Sequence, residues 1–131
     1  MTEGPFILFN PAQVTDTRLS DEEIRRYARH VVIPEMGAEG QKRLKLASVL
    51  VIGAGGLGSP VLLYLAAAGI GRMGLVEPDI VDDSNLQRQV IYDTGQLGRP
   101  KALSAAGRIR TLNPFTKVEV FQELFTEDNA G

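Results

Sequence analysis

Apolar residues recur along the chain in two rhythms. From Ser20 the rhythm is helical. Ile24, Tyr27, Ala28 and Val31 fall at i, i+3, i+4 and i+7 and make one stripe, while Arg25, Arg26 and Arg29 lie off it. Ser20 and Glu23 form an S-x-x-E capping box, Asp21, Glu22 and Glu23 favour the positive helix end, and Pro34 stops the helix. Residues 38–47 predict a second short helix, with Leu44 inward and Lys42, Arg43 and Lys45 on a solvated face. Residues 1–19 carry no period and read as an irregular N-terminal arm.

The second rhythm begins at Ser48. Ser48 to Ile52 is a short apolar run, the mark of a buried strand, and it enters Gly53-Ala54-Gly55-Gly56-Leu57-Gly58. A helix follows through Ala68, with Pro60 tolerated in its first turn and Gly69 as its C-cap. Met73 to Glu77 is a second apolar run, so residues 48–77 predict one βαβ unit. Residues 100–112 predict another helix, opened by Pro100 and closed by Asn113-Pro114, and Lys117 to Phe121 alternates as a third strand would. The fold class is α/β: a Rossmann-like βαβαβ nucleotide-binding half with two N-terminal helices and an incomplete sheet.

Composition narrows the function classes. The chain has 131 residues, enough for one domain, of which 44% are apolar and 23% charged. Aromatics are 6% and Trp is absent, so the core rests on Val, Ile, Leu and Ala, as in a parallel sheet flanked by helices. A net charge of -2 argues against a nonspecific nucleic-acid binder. There is no Cys, hence no thiolate metal site and no Cys nucleophile. No apolar run approaches the roughly 20 residues that span a bilayer, and no basic, then apolar, leader opens the chain, so no membrane is expected and the cytoplasm is the default setting. His30, the only histidine, has no second ligand or nucleophile partner in the pattern and reads as structural.

Gly53, Gly55 and Gly58 make the pattern G-x-G-x-x-G. The first permits a tight turn out of the strand, the second lets backbone approach a phosphate, and the third lets helix and strand pack closely. Alone the motif is weak. Here a strand precedes it, a helix follows, and Glu77 lies 19 residues beyond Gly58 at the end of the next strand, where a ribose-binding acid belongs. Past that strand the chain turns polar: Asp79, Asp82 and Asp83 lead into Ser84-Asn85-Leu86-Gln87-Arg88-Gln89, and Lys101 opens the following helix. Arg88 and Lys101 suit phosphate oxygens, and Asp79 suits a hydrated Mg²⁺ or a ribose. Composition alone leaves Arg88 and Lys101 open between phosphate ligands and ordinary surface charges. Asp82 and Asp83 read as a solvated loop.

These residues resemble the MoeB/ThiF family, bacterial relatives of the ubiquitin-activating enzymes. The resemblance covers residues 20–126 and rests on Arg26-Tyr27-Ala28-Arg29, the run from Val51 to Gly58, Asp79 with Ser84 to Gln89, Gly98-Arg99-Pro100-Lys101 and Leu112-Asn113-Pro114. It implies an adenylyltransferase that uses ATP and Mg²⁺ to activate the C-terminal Gly-Gly carboxylate of a ubiquitin-like sulfur-carrier protein of the MoaD or ThiS type as an acyl-adenylate. Sulfur then comes from another protein, often one with a rhodanese domain, for molybdopterin, thiamin or related products.

The resemblance also implies roles. Gly53, Gly55, Gly56 and Gly58 would hold ATP through the turn. Glu77 would bind ribose, at a position where many members carry Asp. Asp79, Ser84, Leu86 and Gln87 would bind the nucleotide, and Asn85, Arg88 and Lys101 would line the triphosphate and stabilise charge at the α-phosphate. Gln89 belongs to the motif without a settled role. Arg29 matches an arginine that reaches into the partner subunit's ATP site, which implies a homodimer with a finger acting in trans.

Residues 20–131 thus read as the N-terminal part of an adenylation domain. The family's Mg²⁺-binding acid, its two C-x-x-C zinc pairs, its crossover-loop Cys and its carrier-gripping sheet have no counterpart here and are expected downstream. A fragment of this kind is expected to bind nucleotide weakly and to catalyse nothing alone. Two rival readings stand beside this one. A NAD-binding oxidoreductase fragment explains the glycines and Glu77 but gives Ser84–Gln89 and Lys101 no purpose. A non-catalytic nucleotide-binding and dimerisation module explains the retained motifs without turnover.

Overall fold

The computed structural model describes residues 10–131, in two compact units that meet in the chain between Leu46 and Ala47. Among the described residues the first unit holds four short helices: α1 (Pro11–Asp16), α2 (Asp21–Arg26), α3 (Ala28–Val31) and α4 (Gly37–Leu46). Helix α1 corrects the reading of residues 10–19 as irregular; residues 1–9 of that arm lie outside the described residues. Asn10 caps α1 by accepting the Ala12 N–H at 2.9 Å, and Pro11 takes its first position. Six residues are too few to display a period, so pattern alone misses them.

The helix expected from Ser20 to Pro34 is broken at Tyr27, whose backbone (φ -100°, ψ 16°) leaves the helical region and separates α2 from α3. The apolar stripe is also displaced. Ile24 is 45% exposed while Glu23 is buried. Glu23 is drawn inward by its bonds: it accepts the Ser20 N–H at 3.1 Å, completing the capping box, and the Lys45 ammonium at 2.8 Å. Burial raises its carboxyl pKa, but the Lys45 and Ser20 hydrogen bonds outweigh this and hold it below the ordinary value. Lys45 is therefore an ion-pair partner rather than a solvated charge. On α4 the fully buried side chain is Gln41, whose Oε1 lies 3.0 Å from His30 Nδ1, and Leu44 is only half-buried. The His30 ring also stacks on Tyr27.

The second unit is a three-stranded parallel sheet: β1 (Ser48–Ile52), β2 (Arg72–Val76) and β3 (Lys117–Phe121), in the order β1-β2-β3. Helix α5 (Gly58–Ala68) connects the first pair, and α6 (Lys101–Leu112) lies between the second. Register aligns Val49, Met73 and Val118, then Val51, Leu75 and Val120, on one face. Helices α5 and α6 pack together with this sheet, and Met73, Leu75, Leu62 and Ile109 have no exposure. On the other face Leu50 and Ile52 are each 53% exposed, so β1 is half-buried rather than buried.

Past the strand ends the pairing continues. Gly53 N–H donates to Val76 O at 2.8 Å, and Glu77 N–H to Phe121 O at 3.0 Å. The glycine turn and Glu77 are thereby set side by side at the carboxyl edge of the sheet, where open α/β sheets bind ligands. No helix among the described residues is long and apolar enough to cross a membrane.

Candidate nucleotide site

Each glycine of the turn has an observable reason. Gly53 has φ +91°, a conformation that side chains resist. A Cβ on Gly58 would stand 1.9 Å from Gly53 O, so the turn closes only on a hydrogen. A Cβ on Gly55 or Gly56 would be 3.6 Å from Gln89 Nε2 or Arg88 Cδ respectively, so both of those side chains lie over the turn. Helix α5 starts with no side-chain cap, and the N–H groups of Gly55, Gly56 and Leu57 have no acceptor among the described residues. Three consecutive free donors at a helix N-terminus form an anion cradle.

Residue 54 is bound from both sides. Glu77 Oε1 accepts the Ala54 N–H at 2.9 Å, and the Tyr92 hydroxyl donates to Ala54 O at 2.7 Å. Glu77 Oε2 accepts the Asp79 N–H at 3.0 Å, so both carboxylate oxygens already hold backbone donors. Glu77 is 6% exposed, and a ribose hydroxyl would have to use its remaining lone pairs. The Glu77 side chain reaches back to the turn and joins it to the residue after next.

The polar segment is a loop closed at its base. Lys101 N–H donates to Asp79 O at 2.9 Å, Val81 N–H to Arg99 O at 2.8 Å and Gly98 N–H to Val81 O at 2.9 Å. These bonds bring Lys101, far along the chain, back beside the end of β2. Within the loop Asp82 accepts the Ser84 N–H at 2.9 Å while Asn85 Oδ1 accepts the Asp82 N–H at 2.9 Å. Asp82 is thus a cap rather than a bare solvated charge; the Ser84 hydroxyl and N–H, and then Lys101, keep its pKa below the ordinary value. Arg88 donates to Ser84 O at 3.1 Å, which leaves most of its guanidinium donors available. The side chains of Asp79, Ser84, Gln87 and Arg88 face solvent, and Asn85 and Leu86 are half-buried.

Lys101 is 5% exposed and has no carboxylate within ion-pair distance among the described residues. Its ammonium makes no hydrogen bond among the described residues, so its three donors are available to an anionic ligand. Gln89, 4% exposed, leaves its Oε1 buried with no donor. The uncommitted donors of Lys101 and Arg88 fit a polyphosphate, whereas Gln89 Oε1, an acceptor, calls for a donor. The described residues contain no group of three or more His, Asp or Glu that could hold a metal. Arg29 belongs to the first unit, on α3, with an exposed side chain.

Tyr92 and Ser59 escape sequence reasoning. Ser59 Oγ accepts the Ile91 N–H at 2.7 Å and, with the Tyr92 bond, docks the loop on the start of α5. Neither residue sits in the glycine pattern or in the run from Ser84 to Gln89. The one available hint is an aromatic and two aliphatics closing an otherwise polar loop.

Comparison with known proteins follows the same outline. The ThiF family model matches residues 27–131. The chain is 56% identical over 112 residues to a Mycobacterium tuberculosis protein named "Probable adenylyltransferase/sulfurtransferase MoeZ", covering 86% of this chain and 29% of that protein. It is 55% identical over 113 residues to the sulfur carrier protein adenylyltransferase of Thermus thermophilus, covering 86% of this chain and 42% of that protein. Among solved structures it resembles the Escherichia coli tRNA N6-threonylcarbamoyladenosine dehydratase TcdA in complex with ATP, with a TM-score of 0.80 at 32% identity over 86% of this chain and 46% of that one. The chain thus spans less than half the length of each.

Proposed function

The chain belongs to the ThiF family, and from that premise we propose that it carries the ATP site of an adenylyltransferase acting on the C-terminal Gly-Gly carboxylate of a ubiquitin-like sulfur-carrier protein. The observation that carries this reading is Lys101: a mostly buried side chain at the first position of α6, with no carboxylate within ion-pair distance among the described residues, beside the loop that places Arg88 over the glycine turn. A nicotinamide cofactor carries a diphosphate and needs no triphosphate clamp. The names of the Thermus thermophilus and Mycobacterium tuberculosis relatives support the reaction class, and the ATP-bound neighbour supports the ligand.

In the proposed reaction the carrier's carboxylate oxygen attacks the α-phosphorus. The new C(O)O–P bond forms as the bond to the bridging oxygen breaks, and pyrophosphate leaves with that electron pair. The N–H groups of Gly55, Gly56 and Leu57 hold phosphate oxygens. Lys101 and Arg88 oppose the negative charge that spreads over the α-phosphoryl oxygens. Asn85 Nδ2 donates from the loop. Glu77 offers its spare lone pairs to ribose while fixing the turn. Mg²⁺, when bound, would neutralise phosphate charge, and Asp79, whose exposed carboxylate makes no bond among the described residues, would be available to hold it through water. Arg29 is proposed to serve a second subunit's site, in a homodimer. A rhodanese-type donor would deliver sulfur to the activated carboxylate, for molybdopterin, thiamin or a related product.

The test uses the chain joined to the remaining length of the Thermus thermophilus relative, with ATP and a carrier ending in Gly-Gly. A carrier gaining the mass of one AMP, and losing it to a thiol nucleophile, supports the reading. A carrier of unchanged mass beside a folded, ATP-saturated enzyme overturns it.

A further inference from the structure

Ala54 has no exposure, and both of its backbone groups are held by side chains from other elements. The carbonyl of Ala54 and the N–H of Gly55 share one planar peptide unit and point in opposite directions. A bond that draws Ala54 O inward to Tyr92 therefore turns the Gly55 N–H outward, toward the open edge where it has no acceptor among the described residues. That peptide is otherwise easily rotated, because the residue on its far side is a glycine.

We propose that Tyr92 is a positioning residue for the phosphate cradle: its hydroxyl sets the orientation of the Ala54–Gly55 peptide and so aims the Gly55 N–H at the nucleotide. This rests on the ATP-site reading above. Tyr92 is suited to the task. It is 6% exposed, and burial, with the Glu77 and Asp79 carboxylates, raises its phenol well above the ordinary value, so it stays a donor throughout the working pH range. Glu77 acts as its counterpart by holding the Ala54 N–H. The two bonds together pin consecutive peptide units of the turn, so the cradle exists before the nucleotide arrives.

Tyr92→Phe removes one hydroxyl-to-carbonyl bond. Thr116→Val is the matched control, because Thr116 Oγ1 donates to Ile70 O at 2.8 Å, also buried, away from the glycine turn. Both variants are expected to lower the melting temperature, but only Tyr92→Phe should weaken ATP binding, by about tenfold. Equal ATP affinity in Tyr92→Phe and the parent, or equal weakening in Thr116→Val, overturns the proposal. The Gly55 amide resonance of the nucleotide-free chain gives a readout that does not need ATP. Broadening or doubling in Tyr92→Phe alone supports the proposal, and an unchanged resonance overturns it. A parent chain that fails to bind ATP would sink the ATP-site reading while leaving this second readout decisive for Tyr92. Should Tyr92→Phe not fold, replacement of Tyr92 by 4-aminophenylalanine keeps a donor in place. Parental Gly55 resonance in that variant supports the proposal, and a perturbed one overturns it.

Discussion

The carboxylate of Glu77 holds the backbone N–H of Ala54 at 2.9 Å, joining the end of β2 to the first turn of the nucleotide motif. Since Glu77 also binds the Asp79 N–H, Glu77→Gln should cost stability as well as affinity. One acceptor oxygen becomes an NH₂ group facing a buried N–H, a loss of about 1–3 kcal/mol. Urea unfolding of the parent and variant measures it. Unchanged stability with weakened ATP binding would assign Glu77 to the ligand alone.

Lys101→Met keeps the mostly buried stem and removes an ammonium that makes no hydrogen bond or ion pair among the described residues, so the fold should be about as stable. ATP affinity should fall by about ten- to a hundredfold, the worth of a charge-assisted hydrogen bond. In the longer enzyme, turnover should fall by about 10²–10³, as it should for Arg88→Ala. Calorimetric titration and thermal melts on the same samples separate the two effects. A melt as damaged as the binding would make Lys101 a structural residue.

Two glycines give opposite signs. A Cβ at Gly58 meets the Gly53 carbonyl, so Gly58→Ala should destabilise by about 1–3 kcal/mol and abolish ATP binding. A Cβ at Gly107, inside α6, meets nothing within 4 Å, so Gly107→Ala should stabilise by about 0.4–1 kcal/mol. Thermal denaturation of both variants decides, and a stabilised Gly58→Ala would mean the turn is not closed as described.

The Glu23–Lys45 pair gives the first unit a pH dependence. Its folded carboxyl pKa lies below the ordinary 4.5, so the pair's contribution is present above that value and lost as pH falls through the folded pKa. Stability should therefore decline in acid, and less steeply in Glu23→Gln. Melting temperatures between about pH 6 and pH 3 measure the difference. Identical slopes would show that Lys45 does not favour the charged form.

The strands, their parallel order and the glycine turn could be read from sequence because each depends on local pattern. Ser48–Ile52 and Lys117–Phe121 fall where the apolar runs place them. What escaped depends on contacts distant in the chain. Glu23 turns inward because of Lys45, and the helix breaks at Tyr27 where the apolar stripe runs straight on. At the site, residue types pointed to a phosphate ligand but said nothing of the geometry. That Glu77 is engaged by backbone, and that Tyr92 reaches Ala54, follow from the loop's closure at Asp79 and Lys101, which no spacing rule encodes.

The most direct test of the central claim is carrier-dependent exchange of labelled pyrophosphate into ATP. The enzyme is the chain joined to the remaining length of its Thermus thermophilus relative, assayed with a carrier ending in Gly-Gly and with one lacking that tail. Exchange is expected only with the complete tail, and to be lost in Lys101→Ala. Exchange that ignores the carrier, or none with any Gly-Gly carrier while ATP is bound, would contradict adenylyl transfer to a carrier carboxylate.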